Sequence, residues 1–391
     1  MSRDKCNEVY EPREDSFLLQ GIVKRLAKGL VLDMGTGSGI QALTAAKKKS
    51  VKKVLAVDIN PKAIAYCKKN CQHKKITCCV SDLFSKVRGK FDTIIFNPPY
   101  LPKDHKVKTV ALEGGKKGYE IIMRFLKDVK KFLKPDGKAL LVFSSLSHPG
   151  LILDEIEKQF LIAKKGAEQR VFFEDLFVYV LTRSPILNEL ERKGIKSIQY
   201  FARGKRGMVF TGKYCGVKVA IKVKRPSSEA IGRIANEARW LKVLNKHKIG
   251  PKFITASKLY LIYRFVTGEY LEGWLPKANG SKARKVLSLI LHQAFLLDKL
   301  GINKEEMHRP LRNVVVKGAS PVLIDFERTH KAKKPKNVTQ FCHFLMGRRK
   351  LLKQKGIIIN KDKLVKLARA YKQDLRAIKE LKKVLYARRV S

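Results

Sequence analysis

Long apolar runs are missing from this 391-residue chain, and none approaches the roughly 20 residues that a membrane-spanning helix requires. The amino terminus, which begins Met-Ser-Arg-Asp, lacks the hydrophobic core of a secretion signal. Cysteine numbers seven, an odd count that argues against a complete disulfide framework and for a reducing compartment. We therefore expect a soluble, cytoplasmic protein with reduced, partly buried thiols and no membrane contact.

Acidic residues are scarce, with 34 Asp and Glu against 84 Lys and Arg, which gives a formal net charge of +50. A field of this sign attracts RNA or ribosomes and makes any affinity depend strongly on salt. The alternative is an organism with high internal salt or a lysine-rich proteome, in which these lysines are simply solvated surface. Composition leaves both explanations open.

The segment 331–391 is especially basic, with 20 Lys and Arg against 3 Asp and Glu. Its apolar residues recur at spacings of three and four, as on one face of a helix. These residues are Leu364, Leu367, Tyr371, Leu375, Ile378, Leu381 and Leu385. The spacing predicts an amphipathic helix with a basic outer face, and nucleic-acid contact there is a hypothesis.

The length exceeds one ordinary domain, and 45% hydrophobic residues suffice for at least two cores. A break is expected near Ser184-Pro185, after the strand-like segment 172–181. We therefore expect domains at 1–184 and 188–335 and a basic helical tail at 336–391.

Residues 33–39 form the glycine-rich sequence Asp-Met-Gly-Thr-Gly-Ser-Gly, between the apolar run 30–32 and a helix-like segment 40–47. In such a strand, turn and helix, glycines such as Gly35 and Gly37 let the backbone approach a nucleotide-like ligand. The pattern alone fits NAD, flavin and S-adenosylmethionine proteins.

Two aspartates each end a further apolar run. Asp58 follows residues 54–57, where its carboxylate can accept both ribose hydroxyls of a nucleoside. Asp82 closes a third strand-like run, at a place suited to the exocyclic amine of an adenine. In this order and spacing, the two aspartates favour a bound adenosine over solvated loop positions or helix caps.

Asn97-Pro98-Pro99-Tyr100 ends a fourth apolar run and so lies at the carboxyl edge of a parallel sheet, where ligands of such folds bind. Because prolines fix φ and carry no amide hydrogen, the Asn97 side-chain oxygen and the Pro98 carbonyl can point into a cleft. Two converging acceptors grip both hydrogens of a conjugated NH2 group, and Tyr100 offers a flat wall behind it. Such orientation supplies roughly 7 to 11 kcal/mol of a barrier. The motif predicts methyl transfer to a planar nitrogen.

Together with residues 9–19, Val-Tyr-Glu-Pro-Arg-Glu-Asp-Ser-Phe-Leu-Leu, and 114–118, Gly-Gly-Lys-Lys-Gly, these motifs resemble the HemK-type protein-glutamine N5-methyltransferases. The likeness covers roughly residues 1–184 and is closest to the short archaeal and eukaryotic branch, which modifies the Gly-Gly-Gln glutamine of class I translation release factors. It implies a Rossmann-like, seven-stranded α/β domain, S-adenosylmethionine as cofactor and a small zinc-binding activator subunit as partner. It also implies that the helical substrate-docking domain of bacterial relatives is missing.

Carried over residue by residue, the resemblance assigns both cofactor proximity and the substrate amide to Asn97. The expected cofactor-binding residues are Ser16, Asp33, Gly35, Gly37, Asp58, Asp82, Leu83 and Asn97, and the expected catalytic residues are Asn97, Pro98 and Tyr100. Ser16 stands where threonine is usual, which keeps the hydroxyl. Glu113 stands where an aromatic residue is common before the double glycine.

The second half of the chain has a different pattern. Gly204 and Gly207 precede the strand-like run 217–224, and Glu237 follows Lys222 by fifteen residues in a helical stretch. A phosphate-binding lysine held by a helix glutamate, with a glycine-rich hairpin over the nucleotide, is the arrangement that kinases use.

Two more residues extend this pattern. Asn313 and Asp325 are oxygen ligands spaced as kinases space their magnesium pair, and Asp325 ends an apolar strand. Residues 188–335 thus resemble small archaeal kinase-like proteins of the RIO and lipopolysaccharide-kinase-related kind. The resemblance implies an α+β protein-kinase-like fold with ATP and Mg²⁺ as ligands.

The catalytic carboxylate of such kinases has no obvious counterpart. Counting five residues back from Asn313 gives His308, and aligning on His308-Arg309 gives Pro310. Only Glu305 or Glu306, from the preceding turn, can substitute. Nucleotide binding, as an ATPase or a regulatory module, is therefore expected over protein phosphorylation.

The sequence favours methyl transfer from S-adenosylmethionine to a protein glutamine, most simply in a translation release factor, with an appended nucleotide-binding domain. Two alternatives stay open. The Asn-Pro-Pro-Tyr motif also serves enzymes that methylate adenine N6 in RNA or DNA. The charge also suits an RNA- or ribosome-associated binding protein with a regulatory kinase-like module.

Overall fold

The computed structural model describes residues 9–101, 117–204, 207–224 and 232–386. The chain divides into two compact units, Met1–Lys193 and Gly194–Ser391. Glu113 and the Gly114-Gly115 pair lie outside the described residues. Within the described ranges, no helix is both long enough and apolar enough to cross a membrane.

The first unit is built on one seven-stranded sheet. Its strands are β1 (Gly29–Met34), β2 (Val51–Asp58), β3 (Ile76–Val80), β4 (Phe91–Phe96), β5 (Leu133–Ser144), β6 (Leu161–Val171) and β7 (Glu174–Arg183). Its helices are α1 (Glu14–Leu26), α2 (Ile40–Ala46), α3 (Pro61–Asn70), α4 (Glu120–Phe132), α5 (Pro149–Lys158) and α6 (Pro185–Arg192). The sheet order is β3-β2-β1-β4-β5-β7-β6. Strand β7 runs antiparallel to both of its neighbours, β5 and β6, and the other described strand pairs are parallel. The predicted seven-stranded α/β fold is confirmed.

The central strands form because their residues are apolar on both faces, as a sheet covered by helices on both sides requires. In β1 the last four residues are buried, and in β4 all but Asp92 are buried. The strand order reverses between β1 and β4, since β1 pairs in parallel with both β2 and β4. Open α/β sheets bind ligands at the carboxyl ends of the strands beside such a reversal.

The first unit extends beyond the break expected near Ser184. Helix α6 belongs to this unit because the buried Arg183 is bonded to it: Arg183 Nε donates to Asn188 Oδ1 at 2.8 Å, and its guanidinium also pairs with Glu191. Ser184 is the N-cap of α6 and accepts a hydrogen bond from the Ile186 amide. The Ser184-Pro185 dipeptide therefore starts a helix of the first unit.

The second unit begins with a five-stranded antiparallel sheet. The strands of this unit are β8 (Lys196–Arg203), β9 (Gly207–Tyr214), β10 (Val217–Lys224), β11 (Phe253–Ala256), β12 (Tyr260–Arg264), β13 (Glu269–Tyr270), β14 (Ile302–Asn303), β15 (Val314–Lys317), β16 (Ser320–Leu323) and β17 (His330–Lys331). The sheet order is β11-β12-β10-β9-β8, while β13-β15-β16 and β14-β17 form two small sheets.

Helices make up the rest of this unit and most of its core. They are α7 (Arg233–Asn245), α8 (Leu271–Lys277), α9 (Gly280–Lys299), α10 (Asn337–Gly347), α11 (Arg349–Gln354), α12 (Lys361–Gln373) and α13 (Ile378–Val384). Helix α7 follows β10 and packs beside β11 and β12. Apolar residues of α9, α10, α12 and α13 join one buried cluster.

The carboxyl-terminal segment differs from the single amphipathic helix that its spacing predicts. Residues 361–384 form α12 and α13, separated by the 3-10 turn Leu375–Ala377. The break arises because Asp374 adopts an extended backbone and its side chain caps this turn, accepting from the Arg376 amide at 2.8 Å. Leu375 is consequently 42% exposed, whereas most of the other predicted apolar positions are buried.

Candidate active site

Asn97 lies immediately after β4, at the carboxyl edge beside the strand reversal. Its Nδ2 donates to Asp15 Oδ2 at 2.9 Å and lies 3.4 Å from Ser16 Oγ. Because both partners of Nδ2 are acceptors, the amide is oriented with Oδ1 on the opposite side. That oxygen is buried and has no hydrogen-bond partner among the described residues. A buried acceptor without a partner costs free energy that a ligand N–H group recovers.

Asp15 is the residue that fixes this orientation, and it was not among the predicted site residues. It is buried at the first turn of α1, where it accepts from the Ser16 amide at 2.6 Å and from Tyr10 Oη at 2.9 Å. Burial, and then the charge and hydrogen bonding of Asp15, raise the pKa of Tyr100. The only signal for Asp15 was its place in the 9–19 segment, next to Ser16.

Tyr100 is placed differently from the predicted flat wall. Its side chain is only 7% exposed, and its backbone carbonyl accepts from Ser147 Oγ at 2.9 Å. Because a side-chain hydrogen bond between Tyr100 and Asp15 contributes to the raised pKa of Tyr100, this side chain helps to hold Asp15. It offers little ring surface to a ligand. Pro98, between Asn97 and Tyr100 in the chain, is also buried.

The glycine-rich turn after β1 has the backbone conformation that its sequence predicts. Gly35 and Gly37 have φ of 61° and 51°, in the left-handed region that favours glycine. The Gly37 amide donates to Asp58 Oδ2 at 3.0 Å, so the aspartate at the end of β2 holds the turn. Asp58 Oδ1 accepts from the Asn60 amide at 2.9 Å.

Asp33, in β1, stabilises the same glycine-rich turn through its side chain. Its Oδ2 accepts from Thr36 Oγ1 at 2.6 Å and from the Ala42 amide at 3.0 Å, and the side chain is buried. Burial raises the pKa of Asp33 to about 7, although these two hydrogen bonds favour the carboxylate. The contacts of Asp33 are thus with the turn and α2.

A pH-dependent stability follows for the first unit. Because the folded protein binds the Asp33 proton more tightly than the unfolded chain does, the fold loses stability as pH rises from about 4 to about 7. A shift of this size corresponds to up to about 4 kcal/mol. Asp33→Asn should lack this loss, so its thermal unfolding midpoint should rise relative to wild type above pH 7. Midpoints that stay parallel across this pH range would contradict the assignment.

The remaining predicted cofactor residues lie along the same edge. Ser16 is buried beside Asn97, and its carbonyl accepts from Gln41 Nε2 at 2.7 Å. Asp82, after β3, is 45% exposed and pairs with Arg124 at 2.7 Å, while Leu83 has a φ of 44°. The structure therefore brings the predicted residues to the ends of β1 to β4. The left-handed turn and the accessible Asp82 carboxylate fit an adenosine-containing cofactor such as S-adenosylmethionine.

A second polar cluster lies in the second unit. Lys222 Nζ, from β10, is 2.7 Å from Glu237 Oε2 of α7 and 2.9 Å from Asp325 Oδ1. Burial lowers the pKa of Lys222, but the charges of Glu237 and Asp325 outweigh it and raise the pKa well above its ordinary value. Glu237 is 3% exposed and Asp325 is 38% exposed, so the cluster opens to solvent on the Asp325 side. The predicted lysine, glutamate and aspartate are in contact.

Asn313 lies next to this cluster through backbone pairing. Strands β15 and β16 pair Val314 with Leu323, and the Ile324 amide then donates to the Asn313 carbonyl at 2.9 Å. Asn313 thus flanks the residue that precedes Asp325. Carboxylate and amide oxygens are ligands that Mg²⁺ accepts, usually one or two from protein with phosphate and water completing the shell. Within the described ranges no group of three or more His, Cys, Asp or Glu side chains could hold a metal ion.

Lys304 is a further member of the cluster of Lys222, Glu237 and Asp325, and it was not among the predicted site residues. Its side chain is buried, and Nζ donates to the Asp325 carbonyl at 2.7 Å. Burial lowers the pKa of Lys304. One lysine among the many in this chain gives no sequence signal. Gly204 and Gly207 close the β8–β9 turn, where the Gly204 amide donates to the Gly207 carbonyl at 2.9 Å.

Known proteins that are similar to this chain match its first unit, which contains Asn97 and the glycine-rich turn. The family described as "Methyltransferase small domain" matches residues 14–172. A putative protein N5-glutamine methyltransferase of Methanocaldococcus jannaschii is 39% identical over 44% of this chain and 90% of that protein. Methyltransferase HEMK2 of Homo sapiens is 31% identical over 47% of this chain and 94% of that protein. The E. cuniculi Mtq2–Trm112 complex, responsible for methylation of the eRF1 translation termination factor, is 24% identical over 45% of this chain and 99% of that chain, with a TM-score of 0.38.

The family match lies within the first unit and includes the glycine-rich turn and Asn97. The sheet order, the oriented Asn97 amide and the relatives of similar length to this unit lead to one conclusion. Through its first unit, the chain belongs to the HemK-type family of S-adenosylmethionine-dependent methyltransferases.

Proposed function

We propose that the first unit methylates the side-chain amide nitrogen of a protein glutamine, and that this glutamine lies in the Gly-Gly-Gln motif of a class I translation release factor. The observation that supports this proposal is the buried Oδ1 of Asn97, which has no hydrogen-bond partner among the residues that the structure describes. A primary amide has two N–H donors. Asn97 Oδ1 is one acceptor for them, and we propose the Pro98 carbonyl as the second.

The chemistry requires orientation because the amide lone pair is delocalised over the carbonyl group. S-adenosylmethionine supplies an electrophilic methyl carbon when it is bound. Asn97 holds the nitrogen at the sheet edge, and Asp15 prevents the Asn97 amide from turning over. Orientation alone contributes roughly 7 to 11 kcal/mol in well-aligned reactions.

Several observations support a glutamine acceptor over a nucleobase. The relative from M. jannaschii is named a putative protein N5-glutamine methyltransferase. Residues 9–19 resemble the branch that modifies release factors. A flipped base is usually held by stacking on an aromatic ring. Tyr100, the ring of the motif, is buried. The resemblance also leads us to propose a small zinc-binding activator as partner.

The experiment is incubation of the full chain with methyl-labelled S-adenosylmethionine and purified release factor, with and without the activator, and separately with total RNA. We expect label in a Gly-Gly-Gln peptide of the release factor, and a factor whose glutamine is replaced by alanine should take up none. Label found only in the RNA would overturn the proposal in favour of an adenine acceptor.

We further propose that the second unit binds a magnesium–nucleotide complex. The contact of Lys222 with both Glu237 and Asp325 supports this proposal, because it holds an ammonium group beside a solvent-open carboxylate. The ammonium group is suited to nucleotide phosphates, and the Asp325 carboxylate to the metal that accompanies them.

A further inference from the structure

We propose that the second unit transfers a phosphoryl group from a nucleoside triphosphate to an oxygen nucleophile, with the Glu306 carboxylate as the group that orients the nucleophile and accepts its proton. This inference rests on the nucleotide binding proposed above. It assigns a catalytic carboxylate where the sequence positions expected for one hold His308 or Pro310.

The side chain of Glu306 is bonded to the proposed metal site. Its Oε2 accepts from Asn313 Nδ2 at 3.2 Å, and its Oε1 accepts from Arg328 Nη1 at 3.0 Å. Asn313 in turn pairs through its carbonyl with the amide of Ile324, the residue before Asp325. The Glu306 carboxylate is therefore bonded directly to Asn313, one of the two residues proposed to bind the metal. It is 42% exposed to solvent, so a molecule that accepts the phosphoryl group can approach it.

The backbone around Glu306 is held in an unusual conformation. Glu306 and Asp325 have φ of 74° and 62°, in the left-handed region that residues other than glycine seldom adopt. Such strain persists only where surrounding contacts impose it, and it is concentrated at functional sites. The Arg309 amide donates to the Glu306 carbonyl at 2.9 Å, and Lys304 donates to the Asp325 carbonyl at 2.7 Å. Lys304, two positions before Glu306 in the chain, thus connects the backbone near Glu306 to that of Asp325 by a hydrogen bond.

The neighbouring glutamate does not share this environment. Glu305 Oε1 accepts from Asn303 Nδ2 at 3.2 Å and lies 3.9 Å from His330. These partners are at the β14–β17 pair, and among the described residues no hydrogen bond or ion pair joins Glu305 to Asn313. Glu305 is 43% exposed, almost the same as Glu306, which makes it a matched control.

The proposed step is an in-line displacement at the γ-phosphorus. The bond from this phosphorus to the oxygen bridging to the β-phosphate breaks, and its electron pair leaves with the nucleoside diphosphate. A bond forms between the phosphorus and the nucleophile oxygen, whose proton passes to Glu306. Water as nucleophile gives inorganic phosphate, and a hydroxyl group gives a phosphate ester.

The test uses the full chain with Mg²⁺ and ATP labelled on the γ-phosphate, and follows both free phosphate and label bound to protein. We expect turnover by wild type and a rate lower by about 10²- to 10⁴-fold in Glu306→Gln, the usual range for loss of a general base. Because glutamine keeps the shape and an acceptor oxygen, the Kd for ATP should change less than about threefold. Glu305→Gln should retain a rate within about twofold of wild type.

The outcomes separate this inference from the binding proposal. Wild type that binds magnesium–ATP without any turnover overturns the phosphoryl transfer and leaves nucleotide binding intact. Equal losses in the Glu305 and Glu306 variants, or no loss in Glu306→Gln, overturn the role of Glu306. Wild type that fails to bind magnesium–ATP overturns both proposals. Phosphate release identifies water as the nucleophile, and bound label identifies a hydroxyl group; each supports the inference.

Discussion

Asn97→Ala is expected to lower kcat for methyl transfer by about 10²- to 10³-fold, which is the loss seen when one preorganised hydrogen-bonding group is removed from a reacting centre. The variant loses the Oδ1 acceptor that is buried without a partner in the described part of the chain. The measurement is the initial rate of labelled methyl incorporation into release factor at saturating S-adenosylmethionine.

Two further variants make this result specific. Asn70→Ala removes an exposed asparagine of α3, whose side chain donates only to the Tyr66 carbonyl in the described contacts, and should keep the wild-type rate. Asp15→Asn replaces the acceptor of the Asn97 amide by a group that can itself donate. The Asn97 amide is then free to turn over, and kcat should fall while the protein stays folded. Full activity in both Asn97→Ala and Asp15→Asn would contradict the role of the oriented amide.

The first site could be predicted largely from the sequence because each motif follows an apolar run. Carboxyl ends of parallel strands meet at one edge, so residues such as Asp58 and Asn97 had to converge once the strands were recognised. The partner of Asn97 could not be predicted in the same way. Asp15 is 82 residues away on α1, and the packing of that helix against the sheet decides which of its side chains meets Asn97.

In the second unit, a fixed spacing from Asn313 does not locate the proposed catalytic carboxylate. The contact of Lys222 with Glu237 could be predicted, since both belong to regular elements fifteen residues apart. The sequence offered Glu305 and Glu306 as carboxylates near Asn313 but could not choose between them, because the 3-10 turn Pro310–Arg312 takes up residues between Glu306 and Asn313. A fixed spacing of five therefore gave His308, whereas the folded loop brings Glu306 to Asn313.

Asp325→Asn is expected to weaken magnesium-dependent ATP binding by at least about 10- to 100-fold. That is the loss of metal affinity when a residue that only supports a metal ligand is replaced, and Asp325 is proposed to bind the metal directly. The asparagine still accepts from Lys222, so the pair of Lys222 and Glu237 keeps its hydrogen bonds. What the substitution removes is the negative charge. Burial would raise the pKa of Asp325, but Lys222 and Lys304 hold it below its ordinary value, so the wild-type residue is a carboxylate at neutral pH.

The magnesium dependence decides whether Asp325 binds the metal or only supports the fold. ATP affinity of wild type, measured by calorimetry, should fall on addition of EDTA, while that of Asp325→Asn should be low with or without magnesium. Asp362→Asn, at an exposed position in the first turn of α12, should behave as wild type in both conditions. If the ATP affinity of Asp325→Asn still falls on addition of EDTA as it does in wild type, the metal is bound elsewhere. Glu237 and Asp325 then serve only to hold Lys222. A charge-neutral substitution is the sharper probe here because Lys222→Ala would leave Glu237 buried without its cation, which costs about 3 to 5 kcal/mol of stability.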